Sequence, residues 1–190
     1  MKWILEYLSK NNSVTELNLG KNNLTSANLK EISKIMKIEN LSSLILSDNA
    51  LGDNCIIELS KTFKKKKNKL NKIDLRQNDI GDVGIECLTK SLMKNHDLEY
   101  LDISENRFGE EGATRLLELL EKNFSLTYIK ADSSYVPPFL LHQINLKVAE
   151  GANYRKAALT LLMLRKNNSC ILHIMPRRLL IYMCSFLKYA

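Results

Sequence analysis

Apolar residues return in one frame along most of the chain. Val14, Leu17, Leu19 and Leu24 fall at relative positions 1, 4, 6 and 11, with Asn22 at position 9. The frame recurs as Leu41, Leu44, Leu46, Asn49, Leu51, then as Leu70, Ile73, Leu75, Asn78, Ile80, then as Leu98, Leu101, Ile103, Asn106, Phe108. A fifth copy, Leu126, Ile129, Ala131, Ser134, Val136, has lost the Asn. The starts lie 27, 29, 28 and 28 residues apart. Positions 4 and 6 alternate, which predicts a short strand with one buried face. The Asn follows where the chain must turn, and its amide can both donate to and accept from backbone groups left inside. A helical stretch comes next: Ile85, Leu88 and Leu92 are spaced i, i+3, i+7, and Ala113, Leu116, Leu117 and Leu120 behave alike. Gly52, Gly81 and Gly109 follow position 11 and are expected to ease the turn into each helix. One strand plus one helix cannot bury its own apolar face, so the units must stack.

The ends of such a stack need covering. Residues 1–10 read as the helical half of a unit, with Trp3, Ile4 and Leu8 facing the first strand. The fifth unit runs into Pro137 and Pro138, which stop a helix from starting in the usual way. Beyond them, Leu140, Ile144 and Val148 predict one short helix, and Ala157, Ala158, Leu161, Leu162 and Met163 predict a second that ends near residues 166–169. Pro176 suits the first turn of a third. From Leu179 to Leu187 every residue but Ser185 is apolar or aromatic, and a helix apolar on all sides must be covered on all sides. The expected division is residues 1–136, the repeat with its N-terminal capping helix, and residues 137–190, a basic helical cap.

The repeat resembles the leucine-rich-repeat family, in its ribonuclease-inhibitor-like class, through L-x-x-L-x-L-x-x-N-x-L over residues 14–136 and the helical-half segments at 51–55 and 80–84. The resemblance implies an α/β fold, a right-handed leucine-rich-repeat solenoid with a parallel concave sheet and convex helices, closed by an α-helical C-terminal segment. It also implies a protein-binding module. On the strands, positions 3 and 5 point away from the core. Position 3 reads Glu16, Ser43, Lys72, Tyr100, Tyr128, and position 5 reads Asn18, Ile45, Asp74, Asp102, Lys130, with Arg76 and Asp132 just beyond. Adjacent strands lie ~4.8 Å apart, so each set is a physical column. The two tyrosines make interface anchors, and Asp74 with Asp102 suits a basic residue on a partner. Paired carboxylates also invite acid–base chemistry. On an open, shallow face, however, they are expected to keep ordinary pKa values, so no enzymatic activity is expected.

Composition narrows the reading. Apolar residues at 45% and charged residues at 26% describe a folded chain. Gly and Pro, at 7 and 3, are too scarce for an all-turn β-barrel. No apolar run reaches the ~18 residues of a membrane span, because Pro176, Arg177 and Arg178 interrupt residues 170–187. The N-terminal residues form no secretory apolar region. The net charge is +7, and residues 139–190, with eight Lys and Arg against the single acid Glu150, carry all of it. Cys55, Cys87, Cys170 and Cys184 form no C-x-x-C pair, and His96, His142 and His173 are scattered. They predict no metal site, no cofactor and buried thiols in a reducing compartment. The five N-x-S/T sequons, starting at Asn11, Asn23, Asn40, Asn123 and Asn167, are expected to be incidental. The lysines at 61, 64–67 and 69 resemble a nuclear-localisation patch, but without interleaved aromatics they do not predict nucleic-acid binding.

A second resemblance lies in the tail. Met175-Pro176 and the apolar series Leu179, Leu180, Met183, Phe186, Leu187 resemble the opening of an F-box, as found at the C-termini of viral ankyrin proteins of the PRANC type, and are comparable to a SOCS box. The resemblance implies recruitment of a cullin ubiquitin-ligase scaffold. The expectation is therefore a non-enzymatic module that recognises a partner protein on the concave face. The alternative is a ubiquitin-ligase substrate adaptor, of pathogen or viral origin and acting in a host cell. A cytoplasmic location, with the nucleus open through Lys64–Lys67, and a homodimer through the tail complete the expectation.

Overall fold

The computed structural model describes residues 2–11, 13–63 and 70–165. Helix α1 (Lys2–Lys10) precedes strand β1 (Glu16–Asn18), and a short 3-10 turn leads into α2 (Leu29–Ile35). Then β2 (Ser43–Ile45), α3 (Gly52–Phe63), β3 (Lys72–Asp74), α4 (Asp82–Leu92), β4 (Tyr100–Asp102), α5 (Glu110–Lys122), β5 (Tyr128–Lys130) and α6 (Pro138–Arg165) alternate. The strands form one parallel sheet in the order β1-β2-β3-β4-β5. Every strand thus lies beside its sequence neighbour, and each connection carries a helix across one face, as parallel pairing requires.

The core lies between sheet and helices. Position 4 (Leu44, Ile73, Leu101) and position 6 (Leu46, Leu75, Ile103) are buried from the sheet side. Cys55, Ile56 and Leu59 of α3, Ile85, Leu88 and Leu92 of α4, and Ala113, Leu116 and Leu120 of α5 meet them from the helix side. Each fully buried side chain of this size contributes about 1.5–3 kcal/mol. The N-terminal helix packs Leu8 fully and Ile4 partly against the same core.

Position 9 does what its chemistry predicts. Asn106 donates its amide to the carbonyls of Leu75 (2.9 Å), Ile103 (2.8 Å) and Ser104 (3.3 Å). Its Oδ1 accepts from the backbone N–H groups of Asn78 (2.8 Å) and Ile80 (3.1 Å) in the preceding unit. Asn49 repeats the arrangement one unit pair earlier, accepting from Asn22 and Leu24. These clamps hold a strained turn. One residue earlier, Lys21, Asp48, Gln77 and Glu105 sit at φ between 53° and 58°, a left-handed conformation that costs a non-glycine residue roughly 1–2 kcal/mol. In the fifth unit the substitution falls differently from expectation. Ser134 is exposed, and the buried Ser133 next to it donates to the carbonyls of Asn106 (3.1 Å) and Phe108 (2.9 Å).

Two expectations change, and the one for the sequons gains a physical reason. Of the glycines after position 11, only Gly52 needs its left-handed freedom, with φ +62°. Gly81 and Gly109 have ordinary backbone angles and instead give their N–H groups to the carboxylates of Asp53 (2.7 Å) and Asp82 (2.8 Å). The two short helices expected after the prolines are one continuous helix, α6, of 28 residues. Pro138 occupies its first position, where no N–H is needed, and Gly151 alone between the two apolar stretches is too weak a breaker to part them. The sequon at Asn123 is unavailable for modification: its side chain is buried and donates to the carbonyls of Leu92 (2.7 Å) and Asn95 (2.9 Å).

Candidate functional site

The outer face of the sheet carries the two expected columns in exact register. Glu16, Ser43, Lys72, Tyr100 and Tyr128 pair across adjacent strands, as do Asn18, Ile45, Asp74, Asp102 and Lys130. Identical positions on neighbouring parallel strands set the Tyr100 and Tyr128 rings face to face, with centroids 4.5 Å apart and planes 5° from parallel. The Lys72 ammonium lies 5.2 Å from the Tyr100 ring centre, within reach of a cation–π attraction. Tyr100 is thus covered on both faces, while Tyr128, 44% exposed, presents an open ring at the β5 end. Burial, and then the Asp102 charge, push the Tyr100 phenol above its ordinary pKa.

The second column is less free than a strand pattern suggests. Asp102 is buried, and its Oδ1 accepts from the Ser104 N–H (3.0 Å) and hydroxyl (2.5 Å). The half-buried Asp74 accepts from the Arg76 N–H (3.0 Å), and the exposed Asn18 from the Gly20 N–H (2.9 Å). All three close a turn onto the backbone two residues on, the local habit of Asn and Asp. The expectation of ordinary carboxylates is corrected at Asp74. Burial raises its pKa and the charge of Asp102 adds to the rise, against the Arg76 N–H, the Ser47 hydroxyl and the Arg76 charge. Ser43 is buried as well. Arg76 forms its ion pair with Glu105 (3.0 Å), and Arg107 pairs with Asp79 (2.8 Å). The exposed Glu16, the half-buried Ile45, Lys72 and Lys130, and the tyrosine pair complete the face.

Two grooves lie off this face. One of about 470 Å³ is lined by Asp79, Glu105, Arg107, Asp132, Ser133 and Tyr135, among others. Four of these are already engaged: Asp79 with Arg107, Glu105 with Arg76, and Ser133 with carbonyls. The other, of about 700 Å³, lies between α4 and α5, lined by Asp82, Val83, Glu86, Glu110, Glu111, Thr114 and Arg115. Among the described residues no His, Cys, Asp or Glu cluster could hold a metal ion, and no helix is long and apolar enough to cross a membrane. Cys55 is buried, which pushes its thiol up to about 11. Cys87 is half-buried and also unpaired.

Several structural residues escaped the sequence reading. Asp82 Oδ1 accepts from both Gly109 and Gly112 (2.7 Å). A Cβ at Gly112 would stand 2.8 Å from that oxygen. The signal was a Gly-Asp pair after position 11 with Gly again three residues later, as in Gly81, Asp82 and Gly84. Asn95 and Asn123 form a second ladder, accepting from Leu98 (2.9 Å) and Leu126 (3.1 Å). Each stands three residues before position 1, a recurrence that was readable. The tail residues Met175, Pro176, Leu179, Leu180, Met183, Phe186 and Leu187 lie outside the described residues, as do Cys170, Cys184, His173 and lysines 64–67 and 69. Lys61 is exposed and pairs with Glu58.

A family model described as PHA01746-like protein matches residues 12–123. Among solved structures the chain is similar to one titled Leiomodin-1 Actin-Binding Site 2, at 17% identity and TM-score 0.70, over 87% of this chain and 95% of that one. It is also similar to the tropomodulin C-terminal domain of Caenorhabditis elegans, at 14% identity and TM-score 0.62, over 85% and 97%. At such identities the likeness is one of fold. No curated protein matches the sequence. These matches correct the family expectation: neither the leucine-rich-repeat, ribonuclease-inhibitor-like assignment nor the F-box or PRANC-like one stands. The spaced apolar frame and its Asn reported how strand–helix units pack, and packing constraints do not name a lineage. The matched segment, ending at residue 123, does not reach the tail on which the F-box reading rested.

Proposed function

The chain belongs to the PHA01746-like protein family, and we propose that it is a non-enzymatic module that binds a partner protein on the outer face of its sheet. The observation that carries this is the Tyr100–Tyr128 stack, rigid on one side and open on the other, flanked by Lys72 and Lys130. A tyrosine held in place by a neighbour offers a large contact area with little ordering entropy left to lose. The surrounding acids and lysines supply the polar surround that such anchors use. A right-handed winding of the strand–helix units belongs to the same reading, supported by the strong handedness preference of parallel crossovers. So does a cytoplasmic site of action.

Actin is the first partner to test. What supports it is the match, over nearly the whole chain, to a fold that in leiomodin-1 serves as an actin-binding site. The experiment pairs co-sedimentation with filamentous actin and binding to monomeric actin, for the wild type and a Tyr100→Ala/Tyr128→Ala variant whose folding is checked by circular dichroism. Val83→Ala, on the opposite helical side, serves as control. Binding that falls roughly 30-fold or more in the tyrosine variant, the loss of a hot spot of about 2 kcal/mol, and persists in the control supports the reading. Actin binding that the tyrosine variant leaves intact overturns the assigned face. No actin binding by the wild type removes actin, and an affinity capture from lysate with the same variants then tests the face itself.

A further inference from the structure

The two edges of the sheet are left differently. At the β5 edge the position-4 side chain, Ile129, is 5% exposed, close to the 0% of Leu44, Ile73 and Leu101. At the β1 edge its counterpart Leu17 is only half-buried, and Thr15, Glu16 and Asn18 are exposed. Ile4, Leu5 and Val14 are also only partly buried at this end. Helix α1 packs beside α2 as α2 packs beside α3. It stands where the helix of one further unit would stand, yet among the described residues no strand accompanies it.

The backbone bonds between units show the same gap. The position-6 N–H groups of Leu19, Leu46, Leu75 and Ile103 go to the position-5 carbonyls of the next unit, Ile45, Asp74, Asp102 and Lys130. The position-2 carbonyls of Thr15, Ser42, Asn71 and Glu99 accept from the N–H groups at positions 2 and 3 of the next unit. Among the described residues no unit precedes the first. The Asn18 carbonyl and the N–H groups of Thr15 and Glu16 therefore lack the partners that their counterparts have. An edge of this kind is a template for one more strand.

We propose that this edge takes an extended segment of a partner protein as a sixth, parallel strand, with an apolar residue beside Leu17 and a basic residue beside Glu16. Three observations favour this occupant. With α1 already in place, the end lacks a strand and not a strand with its helix. A second copy of this chain would bring its own α2 over its β1, into the place that α1 holds. Next, a residue beside Leu17 points to the core side of the sheet, where it covers Leu17 and the partly buried apolar residues of α1. Last, Glu16 is exposed and forms no ion pair among the described residues. An opposite charge directly across the strand pair is the neighbour it favours. The surface lies at the far end of the sheet from the tyrosine stack, so it stands apart from the partner-binding face proposed above.

The probe is a synthetic peptide of residues 70–77 of this chain, in which Lys72 and Ile73 fall at positions 3 and 4. It is titrated into the isotope-labelled full chain, whose amides are followed by NMR while sedimentation reports the oligomeric state. Shifts centred on Thr15, Glu16 and Asn18 are expected, with hydrogen exchange at the Glu16 and Asn18 amides slowed at least about tenfold at saturation. Two blocked peptides check the hydrogen-bonding edge. In the chain the Leu75 N–H faces the next unit and the Lys72 N–H the preceding one. N-methylation at Leu75 should therefore weaken binding about tenfold or more, and N-methylation at Lys72 should leave it unchanged. Glu16→Lys should weaken binding several-fold. No shifts up to millimolar peptide, shifts centred elsewhere, or equal effects of the two methyl groups would overturn the proposal. So would slow exchange at Glu16 and Asn18 in the peptide-free chain, which gives the edge to the chain itself in a monomer and to a second copy in a dimer.

Discussion

The interior turn positions and the outer sheet face are built by the same repeat, yet they differ in one respect. Asn49, Asn78 and Asn106 are the same residue in the same place, each bonding backbone groups of its own unit and the one before. On the outer face no single residue runs through the five strands: Glu16, Ser43, Lys72, Tyr100 and Tyr128 share a column and little else. Stacking imposes one geometry on every buried turn, so one solution recurs. Packing imposes no shared solution on the first column, whose residues differ from strand to strand, although in the second column Asn18, Asp74 and Asp102 are held by the turns they close.

That contrast makes the clamps the place where substitution should cost most. Asn106→Ala strips three carbonyls and two N–H groups of a buried partner. At about 1–3 kcal/mol for each group left unpaired, and with some relaxation, a loss of at least about 3 kcal/mol is expected in urea denaturation. A loss below 1 kcal/mol would break the claim that the ladder holds the turns. Next in size, Gly112→Ala puts a Cβ 2.8 Å from Asp82 Oδ1 and 3.0 Å from Phe108 Cβ. Overpacking of this kind costs about 1–3 kcal/mol, and the cost of adding the Cβ should be smaller when measured in an Asp82→Ala background, where that oxygen is absent.

On the outer face the effects should invert, small for stability and large for binding. Tyr128→Ala removes one exposed ring and a stacking contact of about 0.5–1.5 kcal/mol, so the melting temperature should move by only a few degrees while partner binding collapses. The smallest effect belongs to Asp74. Its folded-state pKa is raised, chiefly by burial, so the stability it contributes is full below the ordinary carboxylate range and is lost as pH rises through the shifted value. Asp74→Asn keeps the acceptor for the Arg76 N–H and removes the charge. It should therefore stabilise slightly at pH 7, with the gain vanishing below about pH 4. A gain that grows on acidification would contradict the sign.

Much of this was legible along the chain. The frame located all five strands and, once the units stack, set equal positions side by side, while the parallel sheet came only as what the leucine-rich-repeat resemblance implied. It also placed Tyr100 beside Tyr128. It did not show that Asp74 and Asp102 bend back to hold their own turns, since that depends on where the chain goes two residues later. Nor did it show that Arg76 reaches Glu105 across units. It split α6 in two where propensity dips at Gly151, although the helix runs on.

By itself, then, the sequence determined the period, the buried frame and the residues available on the outer face, because strand and helix periodicities act locally and every unit repeats them. The tertiary structure alone decided which of those residues are spent inside the molecule. The N–H groups that Asp53 and Asp82 accept from, and the carbonyls that Asn95 and Asn123 donate to, come from other units roughly 30 residues away, and only stacking brings them within 3.3 Å.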